Sequence, residues 1–113
     1  MKTLSKPISL RELKEIANHL FGNLVKAVVD VEKEIIVIDA ELHADEEALL
    51  LQNGSRQENL WGINLYPDLT GEDFIEFDSM INLRPSVGNK TRGVDNPKIR
   101  VKIAQIVHKY IKI

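Results

Sequence analysis

The sequence has no cysteine among its 113 residues. That excludes a disulfide framework, a thiolate zinc site and a thiol nucleophile, and it fits a reducing compartment. No apolar run approaches membrane-spanning length, and Met1-Lys2-Thr3-Leu4-Ser5-Lys6-Pro7 holds no apolar core of signal-peptide length. A cytoplasmic protein without a membrane partner is expected. There is no Gly-x-Ser-x-Gly elbow to raise Ser55, Ser79 or Ser86 into a hydrolase triad with His43. The nearest approach to a phosphate loop, Ser86-Val87-Gly88-Asn89-Lys90-Thr91, has one glycine and the wrong spacing. His43, Asp45, Glu46 and Glu47 are metal-binding types, but neither His19 nor His108 stands at ligand spacing from them. A helix entry explains the carboxylates. No metal and no cofactor is expected.

What remains is an ordinary globular composition, 43% apolar and 28% charged, long enough for one domain, residues 1–113, around a single core. The net charge of -2 conceals a split. Residues 1–29 carry five basic and two acidic groups, residues 30–78 two basic and fourteen acidic, and residues 79–113 eight basic groups against Asp95 alone. Such asymmetry points to self-neutralisation within the fold or between subunits, or to partners of matching sign.

The chain is clearly punctuated. Ser9 and Glu12 form a capping box, with Ile8 and Leu13 as its hydrophobic staple. Leu10, Leu13, Ile16, Ala17, Leu20 and Phe21 then mark one helical stripe that Gly22 ends. Leu24–Val31 and Glu34–Leu42 read as a hairpin about Glu32-Lys33, pairing Val29 with Ile36, Val28 with Val37 and Ala27 with Ile38. A short helix capped by Asp45 and stopped by Gly54 follows, then a further turn after Ser55. Leu60–Tyr66 is a strand ended by Pro67. After a polar loop, the alternation in Phe74–Arg84 predicts one long strand with Ile75, Phe77, Ile81 and Leu83 inward, and Glu76, Asp78, Asn82 and Arg84 outward. Pairing Leu65 with Ile75 and Ile63 with Phe77 puts Ser79 opposite Trp61, and Gly62 opposite Asp78. Asn96 caps a last helix that starts on Pro97. The fold class is α+β, a four-stranded, mainly antiparallel sheet packed on helices in the order α-β-β-α-β-β-α.

Four stretches carry a resemblance. Glu41-Leu42-His43-Ala44-Asp45-Glu46-Glu47-Ala48-Leu49-Leu50, Gly54-Ser55 with Gln57, Leu60-Trp61-Gly62-Ile63-Asn64-Leu65-Tyr66-Pro67, and Phe77–Pro85 with Asn89 and Arg92 are similar to a small prokaryotic family of unknown function. The resemblance spans nearly the whole chain and implies no reaction or ligand.

The outward row holds recognition groups, two carboxylates, an amide and a guanidinium, so it is either a site or an internal network with every member satisfied. The candidate binding residues are His43, Asn64, Tyr66, Asp78, Asn82, Arg84, Asn89 and Arg92; no catalytic residue is assigned. The expected function is a binding or interaction module working through the polar face around Asp78, Asn82 and Arg84. Its partner would be a second copy of the chain, or an anionic ligand or protein. A small-molecule enzyme with Asp78 as acid/base and Arg84 as anion anchor is the alternative. Nucleic-acid binding by the basic segment 84–113 comes third, because its helix lacks interleaved exposed aromatics. A concave pocket at Asp78 favours the enzyme, and a flat face buried by symmetry favours the module.

Overall fold

In the computed structural model, which describes residues 1–113, the chain runs β1 (Lys2–Thr3), β2 (Ile8–Ser9), α1 (Leu10–His19), β3 (Val25–Asp30), β4 (Ile35–Ile38), α2 (His43–Gln52), β5 (Leu60–Leu65), β6 (Ile75–Glu76), α3 (Pro97–Tyr110) and β7 (Ile111–Lys112). The main sheet has the order β1-β4-β3-β5-β6 and is antiparallel throughout. It has five strands rather than the expected four, because Lys2 and Thr3 pair with Ile38 and Val37 and cover the outer edge of β4. A second, two-residue parallel pairing of β2 with β7 ties the start of α1 to the end of α3.

The β3–β4 register is the expected one, with Val29 opposite Ile36 and Val28 opposite Val37. The connection is longer than Glu32-Lys33 alone. It spans residues 31–34, and Glu34 takes a left-handed φ of 56°. Asp30 makes this turn possible by accepting from the amides of Glu32 and Lys33, both at 2.9 Å, and from the Ser55 hydroxyl at 2.7 Å. Ser55 therefore braces the hairpin and does not cap the short 3-10 turn at Gln57–Asn59.

Alternate residues of the central strands face two different layers. Val25, Ala27, Val29, Ile36, Ile38, Trp61, Ile63 and Leu65 join Leu13 and Ala17 of α1 and Ile103, Ile106 and Val107 of α3 in the main core. On the other face Val28, Val37 and Leu60 meet Leu50 of α2 in a small cluster. α1 and α3 keep their expected caps: Ser9 accepts from Glu12 N–H at 3.1 Å and Asn96 from Lys98 N–H at 2.9 Å. α2 starts earlier than Asp45 would have it. Its N-cap is Leu42, with no side chain bonded to its first turn.

Beyond Glu76 the long strand does not form. β6 is two residues long, and a 3-10 turn follows at Met80–Asn82. The expected pair Leu65–Ile75 is present, with Asn64 beside it opposite Glu76, but the expected Ile63–Phe77 and Trp61–Ser79 are not. Ile75 and Phe77 pack on the main core, whereas Ile81 crosses to the α2-side cluster and Leu83 is exposed.

Candidate functional site

The abandoned pairing leaves the outer edge of β5 without a backbone neighbour at Leu60 and Gly62, and side chains take its place. Asn82 Oδ1 accepts from Gly62 N–H at 2.8 Å while its Nδ2 donates to Gly62 O at 2.9 Å and to Arg92 O at 2.9 Å. The amide thus imitates one residue of a strand. Arg84 Nη2 donates to Leu60 O at 2.6 Å, Nη1 donates to Gln57 O, and the guanidinium lies 4.4 Å from the Trp61 ring centroid. Burial lowers the Arg84 pKa, and nearby Glu47 opposes that shift. Asn89 gathers the following loop, donating to the carbonyls of Asn82, Thr91 and Gly93 and accepting from Asp95 N–H. Asn82 and Asn89 are buried. Three of the eight candidate residues, Asn82, Arg84 and Asn89, are therefore spent on backbone groups of this chain.

The other five come together elsewhere. His43, Asn64, Tyr66, Asp78 and Arg92 line one cavity of about 430 Å³ on the α2 side of the sheet, with Lys26 and Glu76 among them and Leu42, Met80 and Ile81 at its apolar wall. Lys26, Asn64 and Glu76 are register partners on three adjacent strands, so they form a row across the cavity floor. Asn64 Nδ2 donates to Glu76 Oε1 at 2.8 Å and to Asp78 O at 3.3 Å, and Tyr66 Oη donates to the same Glu76 oxygen at 3.0 Å. Partial burial, then the bond to Glu76, push the Tyr66 phenol up from its ordinary value. Arg92 Nε pairs with Asp78 Oδ1 at 2.8 Å on the rim.

His43 sits at the first position of α2 with its ring turned inward, and Nε2 donates to Ile63 O at 2.8 Å. Burial holds its pKa below the ordinary value, so the imidazole is neutral at neutral pH. Gly62 permits this arrangement: a Cβ there would stand 2.6 Å from Ser79 Cβ and Oγ and 3.2 Å from His43 Cγ. The missing side chain admits Ser79 and His43 over β5, in place of the expected pairing with Asp78.

Glu76 was legible as a member of the outward row but carried no signal of its own as a binding residue, and neither did Lys26. Their place follows from the β3–β5–β6 register. His43, Asp45, Glu46 and Glu47 form no metal cluster. No helix is long and apolar enough to cross a membrane.

Compared with family models, residues 2–110 match a family described as "Protein of unknown function (DUF5674)". No curated protein and no solved structure matches.

Proposed function

Because the chain belongs to this family of unknown function, which brings no reaction or ligand with it, we propose from the geometry that it is a binding module for a small polar molecule, held in the cavity bounded by Lys26, His43, Asn64, Glu76, Asp78 and Arg92. The observation that carries this reading is the Glu76 carboxylate. It is fixed from two sides, by the buried Asn64 amide and the Tyr66 phenol, at the wall of a concavity. A merely solvated carboxylate gains little from such fixing, whereas one that must meet a ligand gains from being oriented beforehand. The stretches that carry the family resemblance supply His43, Ala44, Asn64, Tyr66, Asp78 and Arg92 to the same cavity.

The concavity beside Asp78 also suits the enzyme alternative. That reading has less support in its parts. Asp78 Oδ1 is already paired with Arg92, and Arg84, its intended anion anchor, is committed to the carbonyls of Gln57 and Leu60.

The test is an amide-resolved NMR titration with a small set of amino acids, dicarboxylates, amines and sugar phosphates. At least one class is expected to move the resonances of residues 43–44, 64–66 and 76–79. Glu76→Gln should weaken that binding about tenfold, the effect of one charge-assisted contact worth about 1.4 kcal/mol. Shifts confined to other surfaces, or no shifts with any probe, would reject the reading.

A further inference from the structure

We infer that this cavity, on the reading just proposed, takes a zwitterion: an α-amino acid with an apolar side chain, its carboxylate toward Lys26 and the start of α2, its ammonium toward Glu76 and Asp78. The groups left uncommitted at its two ends are opposite in kind.

At one end, Lys26 has no carboxylate within ion-pair distance, and its Nζ lies 5.2 Å from the Phe21 ring centroid. Beside it α2 begins without a side-chain cap, and the backbone N–H groups of His43 and Ala44 have no acceptor within the chain. Free amides at a helix start and a cation without a counter-charge both favour an anion. At the other end, Glu76 and Asp78 each use one oxygen internally, Oε1 and Oδ1, and keep the other without a donor. Between the two ends stands Asn64, only 7% exposed, with no donor to its Oδ1. A buried acceptor without a donor is a cost that an arriving N–H group removes.

The register sets the span. Lys26, Asn64 and Glu76 face one another on neighbouring strands, so the Cα atoms of Lys26 and Glu76 stand ~10 Å apart, two inter-strand spacings. Both side chains are long enough to lean inward toward the carboxylate and ammonium of one small molecule. A simple anion would meet the Glu76 carboxylate, which has no cationic partner (Asp78 has Arg92), and a simple cation would meet Lys26 and the helix start. Leu24, Leu42, Met80 and Ile81 line the same cavity, and Leu42 and Met80 are more than half exposed, which is the apolar surface the ligand's side chain would cover.

L-Leucine is the probe, compared by NMR titration with 4-methylpentanoate, which keeps the carboxylate, and 3-methylbutylamine, which keeps the ammonium. Leucine should bind at residues 43–44, 64–66 and 76–79 at least about tenfold more tightly than either analogue, one lost charged contact each. Lys26→Met should narrow the gap between leucine and the amine, and Glu76→Gln the gap between leucine and the acid. Unchanged amide dispersion identifies folded variants, and Lys26→Gln replaces Lys26→Met if the latter does not fold. An analogue equal to leucine at the same resonances overturns the zwitterion and leaves the cavity reading standing. So does silence from all three while a dicarboxylate or sugar phosphate shifts those residues. Silence from every probe overturns both.

Discussion

Glu46 and His43 lie one helical turn apart on the sheet-facing side of α2, and both are buried. No donor stands in good hydrogen-bond geometry to either Glu46 oxygen, and burial pushes its pKa up to about 10, with Lys26 and the Ala40 amide opposing and Asp39 adding to the shift. The side chain is thus a neutral acid at neutral pH. The two residues pull the pH dependence of stability in opposite directions. The folded state holds the Glu46 proton between 4.5 and about 10 while the unfolded chain releases it, so stability falls as pH rises through that window. For His43 the unfolded chain takes up a proton near 6.5 that the fold resists, so stability is lost as pH drops below that value. Above pH 7 only the Glu46 effect remains. Chemical denaturation between pH 7 and 9 should show a loss of about 1.4 kcal/mol per pH unit that is absent in Glu46→Gln. Glu46→Leu should raise stability at pH 8 by about 3–5 kcal/mol, since it removes both the proton that folding must bind at that pH and a buried polar group. A flat wild-type profile would show that Glu46 is ionised in the fold.

At the scale of elements, residues 74–84 illustrate how a pattern of period two can be read correctly and still not become a strand. Alternation identified Ile75 and Phe77 as core-facing, and the Leu65–Ile75 register held. What ended the strand was competition for the edge of β5. Asn82 matches both hydrogen-bonding groups of Gly62, and Arg84 reaches Leu60 O, so backbone pairing is unnecessary there. The polar row is therefore divided between a structural role for Asn82 and Arg84 and the cavity for Glu76 and Asp78. Asn82→Ala leaves the N–H and C=O of Gly62 unpaired in a buried place and should cost about 2–4 kcal/mol in denaturant unfolding. Arg84→Lys keeps the charge but loses the planar fork that serves two carbonyls and stacks on Trp61. A loss of about 1–2 kcal/mol is expected, with probe binding at the cavity unchanged. An Arg84→Lys protein with an unaltered melt and weakened binding would return Arg84 to the site.

For the whole molecule, the uneven charge along the chain is partly neutralised by folding. Lys14 meets Asp68 at 3.4 Å, Arg92 meets Asp78 at 2.8 Å and Lys102 meets Glu34 at 3.0 Å, each joining a basic part to the acidic middle. Lys102 holds the Glu34 carboxyl below its ordinary value. All three pairs are solvent-exposed, so each adds little stability. Their consequence is for recognition: part of the cationic segment already faces carboxylates of its own chain. Single- and double-stranded oligonucleotides of generic sequence are accordingly expected to bind no tighter than ~100 µM to 1 µM at physiological salt, the range of nonspecific contact. Submicromolar affinity that falls steeply with added salt, measured by fluorescence anisotropy, would overturn this.

The α+β class, the three helices with the caps at Ser9 and Asn96, the β3–β4 register and the residues of the main core were legible in the sequence. Each of these follows from information within about a dozen residues: a periodicity, a capping side chain, or two neighbouring strands whose pattern admits one alignment. Tertiary structure decided the fifth strand, the early start of α2 and the division of the polar row. β1 pairs with a strand more than thirty residues away, and two residues carry no pattern of their own. The fate of Asn82 and Arg84 was settled by the vacant edge at Gly62 and Leu60, about twenty positions earlier in the chain. An amide or guanidinium looks the same in sequence whether it meets a ligand or a carbonyl of its own backbone. Only the fold supplies the acceptor.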